Sequence, residues 1–155
     1  MKDRLDDIDW KILRELQRDG RMTNVELAKR VGISAPPCLR RVRTLEENGV
    51  IEGYRTLLDE AQLGYQLTAF AFVGLSTQGE AELHAFQRAV ASWDIVRECH
   101  MLSGDVDFIL KCVAVDMSAF QSFIVEDLTA VPNVESVRTS LAIGKVKDEP
   151  DVPLT

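Results

Sequence analysis

Apolar positions recur at helical spacing through roughly the first fifty residues and switch to strict alternation after residue 66. Ile8, Ile12, Leu13 and Leu16 step by threes and fours, which marks one face of a helix. Asp6, with Asp9 three residues on, predicts its start, Leu5 is placed to staple onto Trp10, and Gly20 ends it. A second helix begins at Thr23, which with Glu26 makes a T-x-x-E capping box. Leu27, Ala28 and Val31 form its apolar face, and Gly32 stops it. A third helix is predicted over "PPCLRRVRTLEEN", with Ser34 as a cap and Gly49 as the stop. Proline suits a first helical turn but turns its predecessor away from helical angles, so the start falls anywhere from Ala35 to Pro37. "VIEGYRTLLD", apolar and β-prone, reads as a short wing or tether.

The later rhythm is different. "QLTAFAFVGLS" reads as a strand and "GEAELHAFQRAVASW" as a helix with Leu83, Phe86 and Val90 inward. "DIVRECHML" and "VDFILKCVAV" are strands around an "SGD" turn. "DMSAFQSFIVEDLTAV" is a helix, "PN" a turn and "VESVRTSLAIG" a last strand. The order βαββαβ is the ferredoxin-like pattern. The fold class is therefore α+β: an N-terminal winged helix-turn-helix domain of three helices over 1–58, a linker over 59–65, a ferredoxin-like domain over 66–147, and a loose polar tail over 148–155.

Charge sharpens this division. The chain carries a formal net charge of −7. Residues 1–58 nevertheless hold 12 Lys/Arg against 10 Asp/Glu, whereas 59–155 hold 6 against 15. Between 21 and 45, six basic residues face one acid, Glu26. Local basicity in an acidic chain points to a polyanionic partner for one region only. No apolar run reaches the roughly 20 residues of a membrane span, and "MKDRLDDIDW" lacks the apolar centre of a signal peptide. A cytoplasmic protein without a membrane partner is expected. Cys38, Cys99 and Cys112 are odd in number and contain no C-x-x-C, so neither a disulfide framework nor a zinc site is predicted.

Two short helices around a Gly turn, the second rich in Arg, make the helix-turn-helix pattern. Ala28 lets the helices approach, and Gly32 allows the sharp turn. At helical spacing Cys38, Val42 and Leu45 face the core. Pro36, Arg40, Arg43 and Thr44 lie opposite, with Arg41 and Leu39 on the flanks. Arginine reads guanine bidentately or grips phosphate, and Thr44 adds a phosphate or methyl contact. Pro36, Pro37, Arg40, Arg41, Arg43 and Thr44 are the candidate DNA contacts, and double-stranded promoter DNA is the expected partner. Lys29, Arg30, Arg21 and Arg55 are weaker phosphate candidates.

In the second domain "HMLSGDVDFIL" holds the concentrated polar turn. Gly104 admits a positive φ or a close ligand, and Asp105 and Asp107 alternate with Val106, which aims them the same way. The turn reads equally as a site where carboxylates meet an ammonium group and as a plain Gly/Asp β-turn. Two-metal chemistry would need a further acid on the first strand, and "LTAFAFVGLS" has none. His84 and His100 have no nucleophile partner. Neither an enzyme nor a cofactor or metal is expected. Both helices cover one face of the sheet, while the other shows Phe and Val, so a homodimer through this face is predicted.

Taken together, "LDDIDWKILRELQRDGRMTNVELAKRVGIS", "CLRRVRTLEENGVIEGYRTLLD", "SGDVDF" and "VRTSLAIGKVK" resemble the Lrp/AsnC (leucine-responsive, feast/famine) transcriptional regulators from Leu5 to about Lys147. The resemblance implies an amino-acid effector bound between second domains, and dimers that assemble further, often to octamers around which DNA wraps. It implies effector contacts from Met101, Ser103, Gly104, Asp105, Asp107, Thr139 and Ser140, with Leu141 beside them and Phe108 as the aromatic after the motif. The function expected is an effector-responsive, sequence-specific transcriptional regulator. An architectural DNA-binding protein with an idle pocket is the alternative.

Overall fold

A computed structural model describes residues 5–150 and 152–154. The start of "MKDRLDDIDW" and two tail positions, 151 and 155, lie outside the described residues. The chain forms two units: Met1–Leu57 with Lys147–Thr155, and Leu58–Val146.

In the first unit, α1 (Asp7–Arg18), α2 (Asn24–Val31) and α3 (Ala35–Glu47) surround a core of Ile12, Leu27, Ala28, Val31, Cys38 and Leu45. The Asp6–Asp9 capping box forms in both directions. The Thr23–Glu26 box forms in one only: Thr23 accepts from the Glu26 N–H. Glu26 does not return the bond, because its carboxylate takes Arg30 Nε at 3.0 Å, one turn on. α3 starts at Ala35, the first residue of the predicted range. Ser34 occupies the cap position without a side-chain bond. A capping hydroxyl seeks the second or third N–H of the helix, and here those residues are Pro36 and Pro37. The predicted wing forms no strand; residues 52–59 carry no regular secondary structure, with Tyr54 OH donating to Glu46 Oε1 at 2.9 Å. One contact reaches the tail: Gln17 Nε2 donates to the Val152 carbonyl at 2.7 Å.

The second unit holds β1 (Leu67–Leu75), α4 (Glu80–Ala91), β2 (Val96–Met101), β3 (Phe108–Ala114), α5 (Met117–Ser122) and β4 (Val134–Leu141). The sheet is antiparallel in the order β2-β3-β1-β4, as the ferredoxin-like pattern requires. Alternation in β1 and β3 buries Ala69, Ala71, Val73, Phe108, Leu110 and Cys112 beneath the helices. Phe86 anchors this layer, 4.6 Å from Phe108 and 6.3 Å from Trp93 between ring centroids. Burying one such ring stabilises by about 1.5–3 kcal/mol.

One predicted helix changes character. After α5 the backbone continues as a π-helix, Phe123–Leu128. Phe123 and Leu128 are both buried. Five residues apart, they would point about 140° from each other in an α-helix, whereas the wider π turn sets both against the sheet.

Candidate nucleic-acid interface and effector turn

The placement of α3 depends on one residue of left-handed backbone. Gly32 sits at φ 79°, and its N–H and that of Ile33 both bond the Ala28 carbonyl at 3.0 Å. A side chain there would strain the turn. Buried Ala28 keeps the helices close. A second tie was not legible beforehand: Asn24 Nδ2 donates to the Ala35 carbonyl at 2.8 Å and pins the start of α2 to that of α3.

Cys38 and Leu45 are buried and Val42 is half-buried, so the inward face lies where helical spacing put it. Pro36, Arg40, Arg43 and Thr44 are exposed, and Pro37 is half-buried at the rim. Among the described residues Arg40 and Arg43 have no ion pair or side-chain hydrogen bond. Thr44 Oγ1 donates to the Arg40 carbonyl at 2.9 Å.

Arg41 is arranged otherwise. Its Nη1 lies 2.7 Å from Asp6 Oδ2 and 2.8 Å from Asp9 Oδ1. Asp9 and then Asp6 hold the guanidinium more firmly charged. Asp6 in turn is held below the usual carboxylate range, chiefly by the Asp9 backbone N–H. Arg41 therefore ties α3 to α1 while Arg40 and Arg43 reach outward. Of the weaker candidates, Arg30 is engaged by Glu26 and Glu15. Lys29, Arg21 and Arg55 are exposed.

In the second unit the "SGDVD" turn joins β2 to β3. Leu102 N–H bonds the Asp107 carbonyl at 2.8 Å, and Asp107 N–H bonds the Val73 carbonyl at 2.9 Å. Asp107 Oδ2 accepts the Leu75 N–H at 2.6 Å, whereas Asp105 is exposed. The two carboxylates do not share a direction, because Asp107 is drawn into β1 as a backbone acceptor. Gly104, at φ 148°, opens the turn to solvent beside exposed Ser103 and Met101.

Thr139 and Ser140 are exposed on β4, opposite Ala71 and Phe70. Successive strand residues point to opposite faces, so only Ser140 shares the open face with Phe70. From the turn to these residues are two strand spacings of about 4.8 Å and at least two rises of about 3.3 Å. One chain does not bring the two halves of the predicted effector set together.

Other residues were missed altogether. Asn133, at φ 77°, accepts from Ser76 Oγ, Thr77 N–H and Thr77 Oγ1, and donates to the Thr77 carbonyl. It fastens the end of β1 to the start of β4, where the sequence showed only a "PN" turn. All three cysteines are free; burial pushes the Cys112 thiol up to about 12 and raises those of Cys99 and Cys38. Thiols so held are poor nucleophiles.

Comparison with known proteins covers both units. Residues 5–52 match a winged helix-turn-helix DNA-binding family, and residues 68–152 match the Lrp/AsnC ligand binding domain. The leucine-responsive regulatory protein of Rhizobium meliloti is 63% identical over 144 residues, covering 93% of this chain and 92% of its own. That of Escherichia coli K12 is 44% identical over 143 residues, covering 92% and 87%. Among solved structures, a Neisseria meningitidis transcriptional regulator in complex with L-Met superposes with a TM-score of 0.92 at 35% identity, covering 97% of both chains. An AsnC family transcriptional regulator from Agrobacterium tumefaciens gives 0.90 at 33% identity, again over 97% of both.

Proposed function

The chain belongs to the Lrp/AsnC family of transcriptional regulators, a family of DNA-binding proteins and not of enzymes, and from this premise we propose a sequence-specific regulator whose DNA affinity or assembly responds to an amino acid. Residues 1–58 bind promoter DNA in the cytoplasm, and residues 66–147 bind the effector and oligomerise. The observation that carries the reading is the split along α3: Arg41 is tied down by Asp6 and Asp9, while Arg40 and Arg43 project unpaired among the described residues. Pro36, Pro37 and Thr44 frame the same exposed edge.

The effector is an amino acid with an apolar side chain. The relatives named for leucine responsiveness and the neighbour holding L-Met support this class. Ser103, Gly104 and Asp105 from one copy meet Thr139 and Ser140 from another, since a single chain separates them. Asp107 shapes the turn, and Met101 borders it. The open sheet face packs against that of a second copy, and dimers associate into a larger assembly such as an octamer. Phe70, Phe72, Ile109 and Val113 on that face are half-buried, with the Arg138 guanidinium 5.0 Å above the Phe72 ring.

Operator titration tests the reading. Arg40→Ala and Arg43→Ala should each weaken binding by about 1–3 kcal/mol. Unchanged affinity in both variants would overturn it. Sedimentation with and without operator, across the amino acids, identifies the effector; no response to any of them favours an architectural protein.

A further inference from the structure

A cavity of about 290 Å³ lies in the first unit between the start of α1 and the C-terminal half of α3. Leu5, Leu45 and Val50 supply an apolar wall, and Asp9, Arg40 and Arg41 supply charge. These charges are not equivalent. Arg40 is exposed and without an ion-pair partner among the described residues. Asp9 is anchored, its Oδ1 taking Arg41 and its Oδ2 the Asp6 N–H at 3.2 Å. Each carboxylate oxygen retains a further acceptor position.

This arrangement selects among ligands. A phosphate entering here would meet the Asp9 carboxylate as well as Arg40. A simple cation would meet Arg40. A molecule carrying both charges satisfies both groups. The volume falls just below the range of about 300–1,000 Å³ for drug-sized ligands, which suits something smaller.

We propose that this cavity is a second small-molecule site, for an aliphatic α-amino acid. The ligand carboxylate pairs with the Arg40 guanidinium, its ammonium group lies at Asp9, and its side chain rests on Leu5, Leu45 and Val50. Occupancy withdraws Arg40 from the outward face of α3, so ligand and operator compete within one unit without any change of assembly. By linkage each lowers the affinity of the other equally. The proposal does not rest on the effector site assigned to the second unit, and the two fail separately.

The test is methyl-detected NMR on the full-length chain, titrated with L-leucine. Isocaproate, isopentylamine and inorganic phosphate serve as controls. Leu5, Leu45 and Val50 methyls should show saturable shifts with L-leucine, about ten-fold weaker with either half-molecule. Arg40→Ala should raise the dissociation constant read at these methyls by about ten-fold or more, with the Met101, Leu102 and Val106 methyls beside the second unit's turn following their unaltered course. Val50→Phe, which fills the apolar wall, should abolish the shifts while the folded spectrum persists. Methyls unmoved at millimolar L-leucine, equal shifts with phosphate or isocaproate, or saturation indifferent to Arg40→Ala would each overturn the proposal.

Discussion

Arg41 Nη1 lies 2.8 Å from Asp9 Oδ1, across 32 residues of sequence. The contact joins the helix expected to read DNA to the helix behind it. Arg41, placed by spacing on the flank of the outward face, is held against α1 in this structure.

Arg41→Ala should therefore separate stability from salt dependence. Losing the partly exposed pair with Asp9 should lower stability by about 1 kcal/mol, read from the urea midpoint. The slope of log affinity against log salt should not change, because no phosphate contact is lost. Arg43→Ala should leave the midpoint within about 0.5 kcal/mol and alter operator binding instead. A shallower salt slope in Arg41→Ala would show that this side chain leaves Asp9 for the duplex.

The two acids of the turn should part in the same manner. Asp107→Ala leaves the buried Leu75 N–H without its acceptor and should cost about 1–3 kcal/mol in denaturant unfolding. Asp105→Ala should spare stability and weaken the response to the amino acid, measured by calorimetry. Equal stability losses would place both acids in the fold.

Acid unfolding should depend on Asp6. Its carboxylate titrates below the ordinary range in the folded chain, first because of the Asp9 N–H and also because of Arg41. The unfolded chain accepts its proton near pH 3.9, before the folded chain does. The stabilisation is accordingly whole above that pH and is lost as pH falls through the lower folded value. Urea midpoints of the wild type and Asp6→Asn, compared from pH 6 downward, should differ most at the upper end and converge in acid. A constant gap would assign the role to hydrogen bonding alone.

Assembly should respond to the open sheet face. Phe70→Glu sets a carboxylate where a second copy is proposed to pack, opposite Lys111 and Ser140 in the register. Sedimentation should show monomers, with circular dichroism retaining the α+β spectrum, because Phe70 points away from the buried side of β1. An unchanged sedimentation coefficient would move the interface elsewhere.

What could be seen in the sequence was local. Helix starts at Asp6 and Thr23, the Gly32 turn and the alternation of β1 and β3 each depend on residues a few places apart. Periodicity also gave the inward face of α3. It could not give partners reached by folding. Arg41 finds Asp9, Leu75 finds Asp107, and Asn133 finds Ser76 and Thr77 across 32 to 57 residues. Nor could it give the π turn, since Phe123 and Leu128 share a side only after the backbone widens. The residues expected to meet an effector were legible as types, but their separation within one chain emerged only with the strand register.

The prolines at the head of α3 have one more effect. Many helices greet an anion with a ring of free amides at their leading end. This one has surrendered two of them to pyrrolidine nitrogen, at Pro36 and Pro37. A hold on a nucleic-acid backbone then falls more heavily on long, pivoting guanidinium arms. Such arms adjust to small shifts of a double helix more readily than backbone amides fixed in a helix do.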